Sequence, residues 1–99
     1  SPALAALRAE ILDLDPDAQC ALIESRIGEV LTGVLKIPGD RIKPESKLNE
    51  MGVDSLLLLE LSLGLKERTG VTISAMEFLK GPSVRTLATT IRDRALGRD

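Results

Sequence analysis

Apolar residues in this chain fall into helical rows separated by short polar breaks. Leu4, Leu7, Ile11 and Leu14 recur at three- and four-residue steps, which lines side chains along one face of an α-helix. Ser1 is placed to cap that helix and Pro2 suits its first position, so a helix is expected over residues 1–14. Alone, a helix this short is marginal; the pattern leaves open whether it docks or forms a loose interdomain linker. Asp15-Pro16-Asp17 breaks the row and begins another. From Asp17 to about Lys36, Leu22 or Ile23, Ile27, Val30, Leu31 and Val34 keep the 3.6-residue period, with Glu24, Arg26 and Glu29 opposite. This predicts an amphipathic helix stopped by Pro38-Gly39.

Residues 37–53 lose the period. A loop this long needs a structural task in so small a chain, and Ile42, Leu48, Met51 and Val53 are spaced to pin it among Asp40, Lys43, Glu45, Ser46 and Asn49. The next helix, Ser55 to about Arg68, carries two apolar stripes on a wheel of 100° per residue, roughly 140° apart. Leu58, Leu61, Ser62 and Leu65 form one stripe. Leu56, Leu59 and Leu63 form the other, with Leu57 at the margin of the first and Glu60, Gly64 and Glu67 filling the remaining arc. A small bundle needs one stripe for its core; the surplus is either covered by the loop or the N-terminal helix, or offered to partner proteins.

Thr69-Gly70 ends this helix, glycine supplying a left-handed cap. Val71 to Ile73 reads as an extended link, and Ser74 caps one or two turns through Phe78 or Leu79. Gly81-Pro82 forces a turn before Ser83 caps a last helix to about Ala95. Its Val84, Leu87, Ala88 and Ile91 face inward. Arg85, Arg92 and Arg94 read as a solvated end matched to the helix dipole. Phe78 reads as core. The expected fold is all-α: a small four-helix bundle of three main helices and one short helix, with a long first loop and an extra N-terminal helix.

Ninety-nine residues, 43% hydrophobic and 28% charged, fit one small folded domain. A net charge of −2 with scattered Lys and Arg speaks against a nucleic-acid partner. No apolar run has the length of a membrane span, so no membrane partner is expected and a cytoplasmic setting is the default. A start at Ser1-Pro2 suggests a piece of a longer polypeptide. With no histidine and one cysteine, the commonest general base, an internal disulfide and a Cys/His metal cluster are all missing. Cys20 has no base or cation beside it in sequence and reads as a small core or surface residue rather than a reactive thiol.

The chemistry concentrates at Gly52-Val53-Asp54-Ser55-Leu56. Asp54 and Ser55 precede an apolar helix and are both suited to cap it. The same place puts a hydroxyl at the positive end of a helix, where a phosphate ester on it is favoured by free N–H groups and the dipole. Met51-Gly52-Val53-Asp54-Ser55-Leu56 with Leu59-Glu60-Leu61 resembles the start of the second helix in acyl carrier proteins, most of all the carrier domains of modular polyketide synthases. The resemblance continues through Arg68-Thr69-Gly70-Val71, Phe78-Leu79-Lys80-Gly81-Pro82-Ser83-Val84 and Leu87-Ala88, and loosely covers Asp17 to Pro44.

The resemblance implies 4′-phosphopantetheine on Ser55, added from coenzyme A by a phosphopantetheinyl transferase, with acyl groups carried as thioesters and no catalysis by the domain itself. It implies that Asp54 helps attract the transferase and that Leu56 packs beside the modified serine. It assigns Leu58, Leu61 and Leu65 to the core, and Leu56, Leu59, Glu60 and Leu63 to recognition of ketosynthase, acyltransferase and other synthase domains. Residues 15–96 would form the carrier domain, 1–14 a helix or linker and 97–99 a tail, monomeric in isolation. Two alternatives stand beside this reading: a helical interaction module in which Ser55 is only an N-cap and the second stripe a dimer face, and a peptidyl carrier, from which Val53-Asp54 leans away.

Overall fold

Five helices realise the apolar rows in the computed structural model, which describes residues 1–98. They are α1 (Pro2–Ile11), α2 (Pro16–Leu35), α3 (Ser55–Thr69), α4 (Ala75–Leu79) and α5 (Val84–Ala95), with 3₁₀ turns at Gly39–Arg41 and Leu48–Glu50. The all-α architecture is as expected. Asp99, in the expected tail, lies outside the described residues.

α2 is the central element and packs against both α3 and α5. Its start is made by Asp15, whose carboxylate accepts the Ala18 N–H at 2.8 Å, with Pro16 as the first helical residue. It ends at Leu35 with Lys36 as the cap, where the sequence places the end, although the stop is made by Lys36 and not by Pro38-Gly39. Lys36 takes the left-handed conformation (φ 58°) while its N–H still reaches the Thr32 carbonyl at 3.0 Å, so the reversal is complete before the proline. Ile23, Ile27, Val30 and Leu31 are buried toward α3 and α5. Gly64 of α3 faces Val30: a Cβ there would stand 2.7 Å from the Val30 Cγ1. The missing side chain therefore sets how closely α2 and α3 approach, and Gly64 is a packing residue rather than filler on the outer arc.

α1 is docked. Leu7 and Ile11 are fully buried, and α1 touches α2, α3 and α5. Polar ties accompany the burial: the Gln19 amide donates to the Ile11 carbonyl at 2.8 Å, Arg8 Nε donates to the Ala95 carbonyl at 2.5 Å, and Glu10 pairs with Arg26. Leu4 lies over Gly70, where a Cβ would come within 2.5 Å of the Leu4 backbone nitrogen. Two expectations for this helix are corrected. The helix stops at Ile11, so Leu14 leaves the stripe and is 37% exposed. The Ser1 side chain makes no cap bond; its carbonyl accepts the Ala5 N–H instead.

The three arginines of α5 are not a merely solvated end. Arg85 pairs with Glu24, Arg92 with Asp93, and Arg94 with Glu77. Their acceptors lie on α2, on α5 itself and on α4, which a helical wheel of α5 alone does not show. Hydrogen bonds from Arg94 and from Ser74 hold the Glu77 carboxyl down, from its ordinary 4.5 to about 2. A carboxyl depressed on folding stabilises the fold fully above its unfolded pKa and loses that contribution as pH falls through its folded one.

Two outcomes follow. Urea unfolding should show Leu7→Ala destabilised by about 2–5 kcal/mol, whereas a loose α1 would leave the midpoint unchanged. Stability measured from pH 6 downward should include a loss between about 4.5 and about 2 that is absent in Glu77→Gln.

Candidate functional site

The long loop reaches α3 by way of the start of α5. The first amides of α5 lack carbonyl partners within their own helix, and the loop supplies them. Val84 N–H donates to the Ser46 carbonyl at 2.9 Å and Arg85 N–H to the Pro44 carbonyl at 2.8 Å. Thr86 N–H goes to the Ser83 hydroxyl at 3.0 Å. In return Leu48 N–H donates to the Pro82 carbonyl at 3.1 Å, and the Leu48 side chain is 1% exposed. From this anchor the chain passes the Leu48–Glu50 turn and reverses at Gly52 (φ 71°) to deliver Asp54 and Ser55.

Asp54 takes the capping position. Its backbone is extended, its Oδ1 accepts the Leu57 N–H at 2.9 Å and its carbonyl accepts the Leu58 N–H at 2.9 Å. Ser55 is therefore the first helical residue and not the cap, which corrects the reading of Ser55 as an N-cap alone. Its side chain is exposed and its hydroxyl has no partner among the described residues. The result is a free hydroxyl at the positive end of a fifteen-residue helix.

The two leucine stripes of α3 separate cleanly. Leu61 and Leu65 are buried and Leu58 is half-buried against the core. Leu56, Leu59 and Leu63 are 64%, 57% and 55% exposed, and Glu60 is exposed beside them. Neither the loop nor α1 covers the surplus. Met76 and Leu79 of α4 add to the exposed apolar surface; sequence reasoning did not single them out, because five residues are too few to reveal a second face. Cys20 lies away from this site, buried, its Sγ accepting from Arg92 at 3.5 Å and lying 3.7 Å from the Thr89 hydroxyl. Its cationic neighbour comes from α5 and was invisible in local sequence. Among the described residues no group of three or more Cys, Asp or Glu is arranged to hold a metal ion, and no helix is long and apolar enough to cross a membrane.

A family model described as phosphopantetheine attachment site matches residues 25–91. The chain is 37% identical over 65 residues, 66% of its length, to a non-reducing polyketide synthase of Penicillium roqueforti, of which it spans 3%. It is 32% identical over 76 residues, 77% of its length, to a polyketide synthase of Streptomyces halstedii, and 32% identical over 66 residues, 67% of its length, to a nonribosomal peptide synthetase of Arthroderma benhamiae, spanning 1% of each. No solved structure gives a significant match to the chain.

Because Asp54 holds the cap, Asp54→Ala should cost about 1 kcal/mol of stability, while Ser55→Ala should stay within about 0.5 kcal/mol of the parent, as for a surface change. Paired urea curves check this, and a larger loss in Ser55→Ala would give the serine a structural role.

Proposed function

This chain belongs to the phosphopantetheine attachment-site family, and from that premise we propose that Ser55 bears the arm and that the domain serves a polyketide synthase. The family carries 4′-phosphopantetheine covalently, and its members are carriers that are in general not catalytic. When bound, the arm supplies a flexible terminal thiol that holds acyl groups as thioesters. The domain's own task is to hold the attachment point on a rigid platform and offer a surface that each partner enzyme can take and release.

The residues fit the group. An ester-linked phosphate needs an accessible hydroxyl, room around it and no competing hydrogen bond. Asp54 takes the cap, and Ser55 has an exposed side chain whose hydroxyl has no partner among the described residues; that is the observation that carries the reading. At the start of α3 the phosphate also meets free backbone N–H groups and the positive end of the helix dipole. A phosphopantetheinyl transferase would join the Ser55 oxygen to the arm's phosphate as a phosphodiester, breaking the pyrophosphate bond of coenzyme A so that adenosine 3′,5′-bisphosphate leaves and the hydroxyl proton is released. Asp54 keeps the hydroxyl turned outward through its cap and places a carboxylate beside it for the transferase and its metal-bound coenzyme.

Leu56, Leu59, Glu60 and Leu63 form the surface for ketosynthase, acyltransferase and other synthase domains. Exposed leucines with one carboxylate suit contacts that are made and broken repeatedly. In this reading residues 15–96 are the carrier domain, α1 is an appended docked helix and 97–99 a tail. The domain is monomeric in isolation and works in the cytoplasm. The family match over 25–91 and the polyketide synthase relatives support the carrier assignment itself. The peptide synthetase relative favours a second reading, a peptidyl carrier, against which the Val53-Asp54 pair leans.

Intact mass after incubation with coenzyme A, magnesium and a permissive transferase tests the assignment. The parent should gain a single phosphopantetheinyl increment and Ser55→Ala none. A folded parent that gains nothing, beside a control carrier that does, overturns the reading.

A further inference from the structure

α4 cannot stand by itself. It has five residues and one buried side chain, Phe78, whereas isolated helices of that length do not form in water. Its start is a reciprocal cap: the Ser74 hydroxyl accepts the Glu77 N–H at 3.3 Å, and Glu77 Oε2 accepts the Ser74 N–H at 2.9 Å. The same carboxylate is gripped from α5. Arg94 Nη1 reaches Glu77 Oε2 at 3.1 Å and Nη2 reaches Oε1, while Nη1 also donates to the Thr72 carbonyl at 3.0 Å. One guanidinium thus holds both the link before α4 and the first turn of α4. A two-pronged contact of this kind sets orientation as well as distance.

The outer side of α4 carries Met76 and Leu79, 69% and 67% exposed. Leu79 lines a cleft of about 60 Å³ with Val53 and Leu58, which lie on either side of Ser55 in the chain, and with Asn49 of the loop. The cleft thus joins α4 to the loop before Ser55 and to the first turn of α3 after it.

We propose that Arg94 is a positioning residue for the modification of Ser55: through Glu77 and the Thr72 carbonyl it holds α4 so that Met76 and Leu79 continue the apolar start of α3, and the phosphopantetheinyl transferase seats on this combined face. The inference rests on the reading of Ser55 as the attachment site. Arg94 acts through α4 and touches neither the hydroxyl nor the transferase.

The test is steady-state transfer from coenzyme A to the full chain, comparing the parent with Arg94→Gln, Glu77→Gln and the double variant. Glu77→Gln keeps an acceptor for the Ser74 N–H and removes only the charge that Arg94 grips. Each single variant should raise KM for the carrier about three- to fivefold, the scale of a partly exposed ion pair, with kcat unchanged. The double variant should be no worse than Arg94→Gln alone, since the charge of Glu77 acts through that guanidinium. Amide exchange of residues 75–79 should quicken while that of α3 stays at the parent level. The two substitutions change net charge in opposite directions, so KM values that move oppositely would assign the effect to the electrostatic field and overturn the proposal. Parent-like KM in both singles, with the parent itself modified, overturns it while leaving Ser55 as the site. A folded parent that takes no arm beside a working control overturns the Ser55 reading, and this one with it.

Discussion

The structure depends on the closure of its long loop over the start of α5. The stretch between α2 and α3 has no helix of its own beyond two short turns, and ordering a backbone residue costs about 1–2 kcal/mol. Its compensation comes from an exchange of unmet needs. α5 begins with amides that have no partner in their own helix, and residues 44–48 bring carbonyls that would otherwise face water. Val84 and Arg85 donate to Ser46 and Pro44, Leu48 donates to Pro82, and Leu48 is buried between them. Everything between that anchor and Ser55 is a short turn, so the position of the hydroxyl is inherited from the N-terminus of α5, far along the chain.

The same dependence explains what was legible in the sequence. Helix positions were readable because aliphatic rows, Asp and Ser caps and the Gly70 stop are local signals: the row Ile23, Ile27, Val30 and Leu31 needed no tertiary information. The end of α1, read at residue 14 and found at Ile11, was settled by backbone choices with no side-chain signature, as was the left-handed turn of Lys36 that closes α2 two residues before Pro38. The exposed and buried stripes of α3 were readable as periodicity, and the exposure of Leu56, Leu59 and Leu63 bears out the separation. Interactions between elements were not readable. A wheel of α5 shows arginines facing outward, but Glu24 and Glu77 arrive from other helices to meet them. Gly64 looked like a gap in the outer arc until Val30 filled it.

α3 carries a cost that its own fold does not require. Three leucines more than half exposed on a fifteen-residue helix lower solubility and add nothing to the core. The remaining core is able to bear it because α1 adds Leu7 and Ile11 to the buried set and closes against α2, α3 and α5. A chain with a single aromatic residue has little apolar volume to spare. An additional helix enlarges the core without touching the surface that α3 leaves open.

On the reading proposed for Ser55, its division of labour with Asp54 follows from the chemistry of a modified serine. A hydroxyl that caps a helix must point back at the amides of the first turn, whereas a hydroxyl to be esterified must point outward and be free of hydrogen bonds. One serine cannot satisfy both. Placing aspartate one residue earlier resolves the conflict: its carboxylate reaches the Leu57 N–H, and the helix starts as firmly whether or not the next side chain bears a substituent. A serine one position earlier would lose part of the helix start each time it was modified. On that reading the adjacent Asp-Ser pair lets the attachment point change state while the platform beneath it does not.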